Sequence, residues 1–190
     1  RQLRFIVRVR QIENLALVID VLRRVGRGNR EPFDRHVTAV RLPDRNAREF
    51  IARTGGVIER KDWLNNLTWQ YQVSDSTQCQ HHDVYPMPNG NILVLSWDLK
   101  TPSQAIAAGR DTARIGVSLW SEKIMELQPV GTSGANIVWQ WNAWDHLVQA
   151  YDPTKSNFGA VAQHPELIHV NQFSGPATAT DWLHCNSLDY

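Results

Sequence analysis

One motif recurs along the chain, and its spacing constrains the fold more than any other feature. Residues 80–91 read QHHDVYPMPNGN, in which histidines and a carboxylate open a predicted strand. Asn89-Gly90 predicts a type I′ hairpin turn because both residues tolerate positive φ, and a second strand follows over residues 92–97. The turn at 88–91 aligns with residues 43–46 at an offset of 45 residues, which places His81 on His36.

A second alignment extends the repeat, because residues 81–83 (HHD) align with residues 184–186 (HCN). Residues 67–71 also resemble residues 137–141, and both segments alternate β-branched or aromatic side chains as strands do. Periods of about 40–50 residues built from short strands predict a β-propeller with four strands per blade. A β-sandwich with coincidentally similar turns is the alternative. The shared order of turn, aromatic strand and histidine favours the propeller.

The chain is therefore predicted to be all-β, a partial β-propeller of about two blades plus the start of a third. The strands expected in the first blade are residues 36–42, 47–53, 57–62 and 67–73, and those in the second are residues 81–87, 92–98, 123–128 and 137–142. The third blade begins at residue 183. The propeller would occupy residues 34–190, with an ordered long loop at 143–181. Because a closed propeller needs more blades, we expect the chain to be part of a larger protein.

Residues 1–33 are predicted to be a basic N-terminal extension outside the propeller. Apolar residues at helical spacing predict a helix over residues 12–25, and residues 5–9 predict a short strand before it. Residues 1–61 carry 15 of the 20 Lys and Arg residues and a net charge of +8, whereas the remainder carries −7. The basic part lacks the aromatic interleaving and base-reading motifs of nucleic-acid-binding proteins, so we predict no nucleic-acid partner.

Other function classes are disfavoured by what the chain lacks. No apolar run reaches the roughly 18 residues of a membrane span, and no secretory signal is visible. Cys79 and Cys185 have no Cys-x-x-Cys spacing, so both are expected to be buried small hydrophobes. A metal site at residues 81–83 is an alternative, but adjacent strand residues face opposite ways and cannot easily share one ion. We predict no metal and no cofactor.

Several motifs, taken in order, resemble those of the bacterial arylsulfate sulfotransferases. The resemblance is carried by residues 81–83 with 87–91, by segments 105–111, 137–141, 144–147 and 164–168, and by the next blade opening at 181–187. It covers roughly residues 55–190, is weak over 34–54 and is absent before them.

The resemblance implies a six-bladed β-propeller with the active site in its central channel. The implied reaction moves a sulfuryl group from a phenolic sulfate ester to a phenol, through a sulfohistidine and without PAPS as donor. An aryl sulfate and a phenol are then the small-molecule partners, and the location is periplasmic or secreted. In the family's order, the sulfated histidine and a sulfate-binding arginine follow the last residue of this chain. We therefore expect the 190 residues alone to be inactive.

The candidate substrate-binding residues are His81, Asp83, His146, His184 and Asn186, and catalytic roles are predicted for His81, His184 and Asn186. Strand residues two apart share a face, so His184 and Asn186 should point together into the channel, as should His81 and Asp83 one blade earlier. Neutral imidazole and amide N–H groups suit a reaction that develops charge on sulfate oxygens.

This assignment has two further structural consequences. The residues between the paired site positions, His82 and Cys185, should face the packing between blades, and His36 should join His81 and His184 around one axis. The alternative function is a non-catalytic β-propeller that binds ligands or proteins.

Overall fold

A computed structural model of the protein describes residues 2–9, 18–24, 56–61, 66–172 and 180–189. Most of its elements are strands, and there is little helix, which confirms the all-β prediction. The elements are β1 (Gln2–Val9), β2 (Val18–Arg24), β3 (Val57–Lys61), β4 (Leu67–Gln72), β5 (Gln78–Pro86), β6 (Ile92–Lys100), α1 (Pro102–Ala107), β7 (Leu119–Val130), β8 (Gly134–Asn142), β9 (Leu147–Val148), β10 (Ile168–His169) and β11 (Cys185–Ser187). Short 3-10 turns lie at Thr112–Arg114, Ala143–Asp145 and Val161–Gln163.

The largest sheet contains four strands in the order β5-β6-β7-β8. These are the strands predicted for the second blade, although β7 and β8 extend further than expected. The interior strand β6 is buried from Ile92 through Trp97, whereas much of the edge strand β8 is exposed. Four strands in sequence order form the unit from which propellers are built. Within the described ranges no sheet closes on itself, so the propeller and its blade number remain predictions.

The turn between β5 and β6 forms the predicted hairpin but is not of type I′. The Gly90 N–H donates to the Met87 carbonyl at 2.9 Å, and the Met87 N–H donates to the Asn91 carbonyl at 2.8 Å. Within this loop only Gly90 has positive φ, at +84°. The connection is therefore a three-residue loop, a type I turn followed by a left-handed glycine. Pro88 explains the difference, because its ring fixes φ near −65°, which a type I turn requires.

The chain divides into two compact units. Unit 1 consists of residues 1–96, 124–140 and 185–190, and unit 2 consists of residues 97–123 and 141–184.

The core of unit 1 brings two sheets together. The antiparallel pair β3–β4 packs its buried side against one face of β6 and β7. The buried members of this cluster are Ile58, Trp69, Val73, Ile92, Val94, Met125 and Leu127. On β6 and β7 they are spaced two apart, as one face of a strand requires. β3 and β4 correspond to the last two strands predicted for the first blade. The first two, and residues 43–46 that align with the turn at 88–91, lie outside the described residues.

The helix predicted over residues 12–25 is wrong for residues 18–24, which form β2. This strand pairs antiparallel with β1, from Gln2↔Arg24 to Arg8↔Val18. The β-branched residues near the start of β2 suit a strand, and pairing with β1 overrides the helical spacing of the apolar residues. The other residues of the predicted helix lie outside the described ranges. β1 contains the strand predicted at 5–9 and also pairs with β11, at Arg8↔Ser187.

Unit 2 is organised by a short helix and a long connection. Thr101 caps α1 in a reciprocal capping box with Gln104, and Pro102 occupies the first helical turn. The connection after β8 contains the two-residue parallel pair β9–β10 and folds around the fully buried amide of Gln149. No helix among the described residues is both long enough and apolar enough to cross a membrane.

Candidate functional site

Two histidines share an uncommon backbone conformation. The φ angles are +50° at His82 and +53° at His184, and no other non-glycine residue in the described part of the chain has positive φ. A side chain in this region costs about 1–2 kcal/mol relative to the right-handed conformation. Such strain persists where the surrounding structure imposes it, and it clusters at functional sites. His82 lies within β5, and His184 immediately precedes β11.

The shared conformation shifts the repeat alignment by one residue, because it matches His184 with His82 rather than with His81. The burial of the two histidines also favours His82 as the counterpart of His184, because His81 is only 7% exposed, whereas His82 is exposed. The prediction that His82 faces the packing is therefore wrong. A left-handed residue inside a strand interrupts the alternation of side chains on which that prediction depended. Cys185, predicted to be buried, is 1% exposed, and it and Cys79 are free thiols.

In unit 2, His184 forms a pair with an aspartate three residues earlier. The His184 Nδ1 lies within hydrogen-bonding distance of the Asp181 carboxylate, and the two side chains are 32% and 28% exposed. The backbone beside this pair is anchored to β7, because the Trp120 N–H donates to the Thr180 carbonyl at 2.7 Å. The residues between them, Trp182 and Leu183, are buried. This segment therefore holds an accessible imidazole on a fixed backbone.

Trp97 lies beside this imidazole within unit 2. The ring centroid of Trp97 lies 6.2 Å from that of His184, and Trp97 lies 6.5 Å from Trp120. A second pair, Trp144 and Trp182, meets edge to face at 6.0 Å. Flat apolar rings bind other aromatic rings through offset or edge contacts. Trp97, Trp120 and Trp182 are buried, so these rings pack the base of the His184 segment.

His146, also in unit 2, stacks on Trp141 with ring centroids 5.0 Å apart and an interplanar angle of 13°. Its backbone carbonyl accepts a hydrogen bond from the Ile168 N–H at 2.7 Å. The stack is half-buried, so an aromatic surface remains accessible. Binding of substrate by His146 stays a prediction.

In unit 1, Asp83 has a structural contact that the sequence did not predict. Its Oδ2 accepts a hydrogen bond from the Leu188 N–H at 2.8 Å, which ties β5 to the segment after β11. Asn186 lies on β11 and is half-buried. The substrate contacts predicted for Asp83 and Asn186 remain predictions.

Arg110 in unit 2 makes structural hydrogen bonds rather than offering an anion site. Its guanidinium donates to the Val170 carbonyl at 2.7 Å and to the Arg114 carbonyl at 3.2 Å. Burial, followed by the charge of Arg114, lowers the pKa of Arg110 below its usual value. The same two causes lower the pKa of His169. A cation that is buried and bonded to backbone carbonyls is a poor ligand for sulfate.

The chain matches a known protein family over most of its length. The family described as Arylsulfotransferase (ASST) matches residues 34–190. The chain belongs to the arylsulfotransferase family. Membership implies sulfuryl transfer, with aryl sulfates and phenols as the substrates. No curated protein and no solved structure gives a significant match.

The structure brings together some of the arylsulfotransferase candidates and adds others. It pairs His184 with Asp181, a partner that the sequence did not single out, although an aspartate three residues before a candidate histidine was a signal. Convergence of His36, His81 and His184 on one axis stays a prediction, because His36 lies outside the described residues and the other two belong to different units. Over the ranges that the structure describes, no group of three or more His, Cys, Asp or Glu residues is placed to hold a metal ion.

Proposed function

We propose that this arylsulfotransferase transfers a sulfuryl group from a phenolic sulfate ester to a phenol, through a sulfohistidine and without PAPS. The observation that carries the proposal is the family match over residues 34–190. An accessible His184 and the half-buried stack of His146 on Trp141 support it, because the substrate needs both a polar group near its ester and a surface for its ring.

The reaction has two half-reactions that balance. In the first, the S–O bond of the ester breaks, an S–N bond forms to a histidine, and the departing phenolate takes up a proton. In the second, the acceptor phenol loses its proton and its oxygen attacks sulfur as the S–N bond breaks. The ester itself supplies the sulfuryl group, so a nucleotide donor is not consumed. Donors aimed at the sulfate oxygens stabilise the charge that develops in each step.

The roles of the candidate residues follow from their accessibility. His184 and Asn186 contact the ester, and His146 with Trp141 contacts an aryl ring. The role first predicted for His81 passes to His82, because His82 is exposed and shares the backbone conformation of His184.

Single substitutions in the full-length protein test these roles. His184→Ala and Asn186→Ala should each lower the rate of sulfuryl transfer by about 10²–10³, the usual cost of removing one donor to a developing charge. The assay follows release of phenol from an aryl sulfate in the presence of an acceptor phenol. His164→Ala is the matched control, since His164 also pairs with a carboxylate, Glu166 at 3.0 Å, but is 43% exposed and has no assigned role.

Two results would contradict the proposal. If the wild-type protein binds aryl sulfates without turning them over, the non-catalytic binding module is the correct function. If His184→Ala retains full activity with an unchanged melting temperature, His184 does not contact the ester.

His82→Ala should lower transfer with folding intact, whereas His81→Ala should chiefly lower stability, because His81 is buried.

Family resemblance also supports a periplasmic or secreted location for this protein. Fractionation of cells that express the full-length protein tests it, and recovery of all the protein in the cytoplasmic fraction would contradict it.

A further inference from the structure

We infer that Asp181 is the positioning residue of His184: it holds the imidazole as the Nδ1–H tautomer and presents Nε2 to the phenol oxygen of the substrate. The identity of the substrate rests on the proposed function. The tautomer and its cause do not, because they follow from the contact between the two side chains.

The backbone that carries Asp181 is held in position by its neighbours. Asp181 forms a parallel bridge with Trp120, and the preceding carbonyl of Thr180 accepts the Trp120 N–H. Trp182 and Leu183, which separate the pair, are 4% and 2% exposed. Both partners are therefore held on a packed segment, and their contact does not require ordering of a mobile loop.

Asp181 also depends on this contact. Its Oδ1 is buried and has no hydrogen-bond partner among the described residues, and its Oδ2 faces the His184 Nδ1. A carboxylate that is partly removed from water needs a donor, and among the described residues a protonated His184 Nδ1 is the group placed to supply one. In the neutral ring a proton on Nδ1 leaves Nε2 as the acceptor nitrogen. The aspartate thus selects the tautomer.

A ring held in this way can carry one proton around the reaction cycle. In the half-reaction with the acceptor, the phenol O–H bond breaks and the proton moves to Nε2 as the phenol oxygen bonds to sulfur. The resulting imidazolium donates to Asp181 through Nδ1–H, which offsets its positive charge. In the half-reaction with the next ester, Nε2–H returns that proton to the departing phenolate. The ring is neutral again, and protons balance over the cycle.

The chain contains a second histidine–carboxylate pair that serves as a comparison. His164 Nδ1 lies 3.0 Å from Glu166 Oε1, but the two side chains are 43% and 63% exposed. Exposed pairs contribute little because water screens them and because both side chains must be ordered. Glu166→Gln therefore removes a similar contact without touching the His184 segment.

The tautomer is measured directly in the full-length protein labelled with ¹⁵N-histidine. Two-bond ¹H–¹⁵N correlations show which ring nitrogen carries the proton, and the His184 signals are assigned by their loss in His184→Ala. We expect Nδ1–H in the wild type, a shift toward Nε2–H in Asp181→Asn, and no change in Glu166→Gln. A wild-type His184 that is mainly Nε2–H, or one that Asp181→Asn leaves unchanged, overturns the inference.

Kinetics test the catalytic consequence. Asp181→Asn should lower kcat by about 10²–10⁴-fold, the usual contribution of a general acid–base that the wrong tautomer would forfeit, with KM little changed. Asp181→Glu should restore part of the loss, and it carries the test if Asp181→Asn fails to fold. An unchanged kcat refutes the positioning role. If the wild type shows no transfer at all, the proposed function fails, and the tautomer measurement still decides the relation between Asp181 and His184.

Discussion

Gly109→Ala should destabilise the protein much more than Gly90→Ala, although both glycines have similar left-handed φ angles of +78° and +84°. The difference lies in the space around them. A Cβ at Gly90 would meet nothing within 4 Å, whereas a Cβ at Gly109 would lie 2.7 Å from side-chain carbons of Gln149. Gly90→Ala therefore measures the cost of the backbone conformation alone, which is about 1–2 kcal/mol.

At Gly109 the steric conflict adds to that cost. Gln149 is fully buried, and its side-chain amide makes three hydrogen bonds. Its oxygen accepts from the Tyr151 N–H at 2.6 Å and the Asp152 N–H at 2.7 Å, and its NH₂ group donates to the Asp152 carbonyl at 2.8 Å. Leaving a buried polar group without its partner costs about 1–3 kcal/mol. If the new methyl group breaks even one of these bonds, the total loss is at least about 2–5 kcal/mol, by addition of the two contributions.

Urea unfolding of the two variants gives the comparison, with free energies obtained by linear extrapolation. A double variant sharpens it: Gln149→Ala removes the side chain that the Cβ of Ala at 109 would meet, so the two substitutions should be clearly non-additive. Equal losses at Gly90 and Gly109, or strict additivity in the double variant, would refute the steric argument.

Two further predictions concern stability. Trp69→Phe should cost about 1–3 kcal/mol in urea unfolding because it leaves the Gly134 carbonyl without the indole N–H that donates to it at 2.8 Å, and a neutral result would contradict this. His169 has a pKa lowered from 6.5, first by burial, so as the pH falls below about 6.5 the unfolded chain binds this proton before the folded one. Stability should therefore fall between pH 7 and pH 5 more steeply in the wild type than in His169→Gln, and equal slopes in thermal melts would show that His169 is not responsible.

Much of the secondary structure after residue 56 was predictable from the sequence, because it depends on local rules. Alternating apolar residues marked the strands of the β5–β8 sheet, and the Asn89-Gly90 pair marked its first hairpin. The turn type was not predictable from that pair alone, since Pro88, whose ring fixes φ near −65°, takes the first central position of the observed type I turn. The β2 strand was missed for a different reason: its apolar residues keep helical spacing, and that spacing does not show the pairing with the preceding strand β1 that overrides it.

The sequence by itself determined the family, the all-β class and the candidate histidines, because these depend on which residues occur and in what order. Only the tertiary structure decided which histidine of the 81–82 pair is exposed. The left-handed backbone at His82 breaks the regular alternation of side chains between the two faces of a strand, on which the sequence-based prediction depends. It also decided that Asp181 faces His184. Three residues of spacing allow that contact but do not impose it; packing of Trp182 and Leu183 and the bridge to Trp120 do.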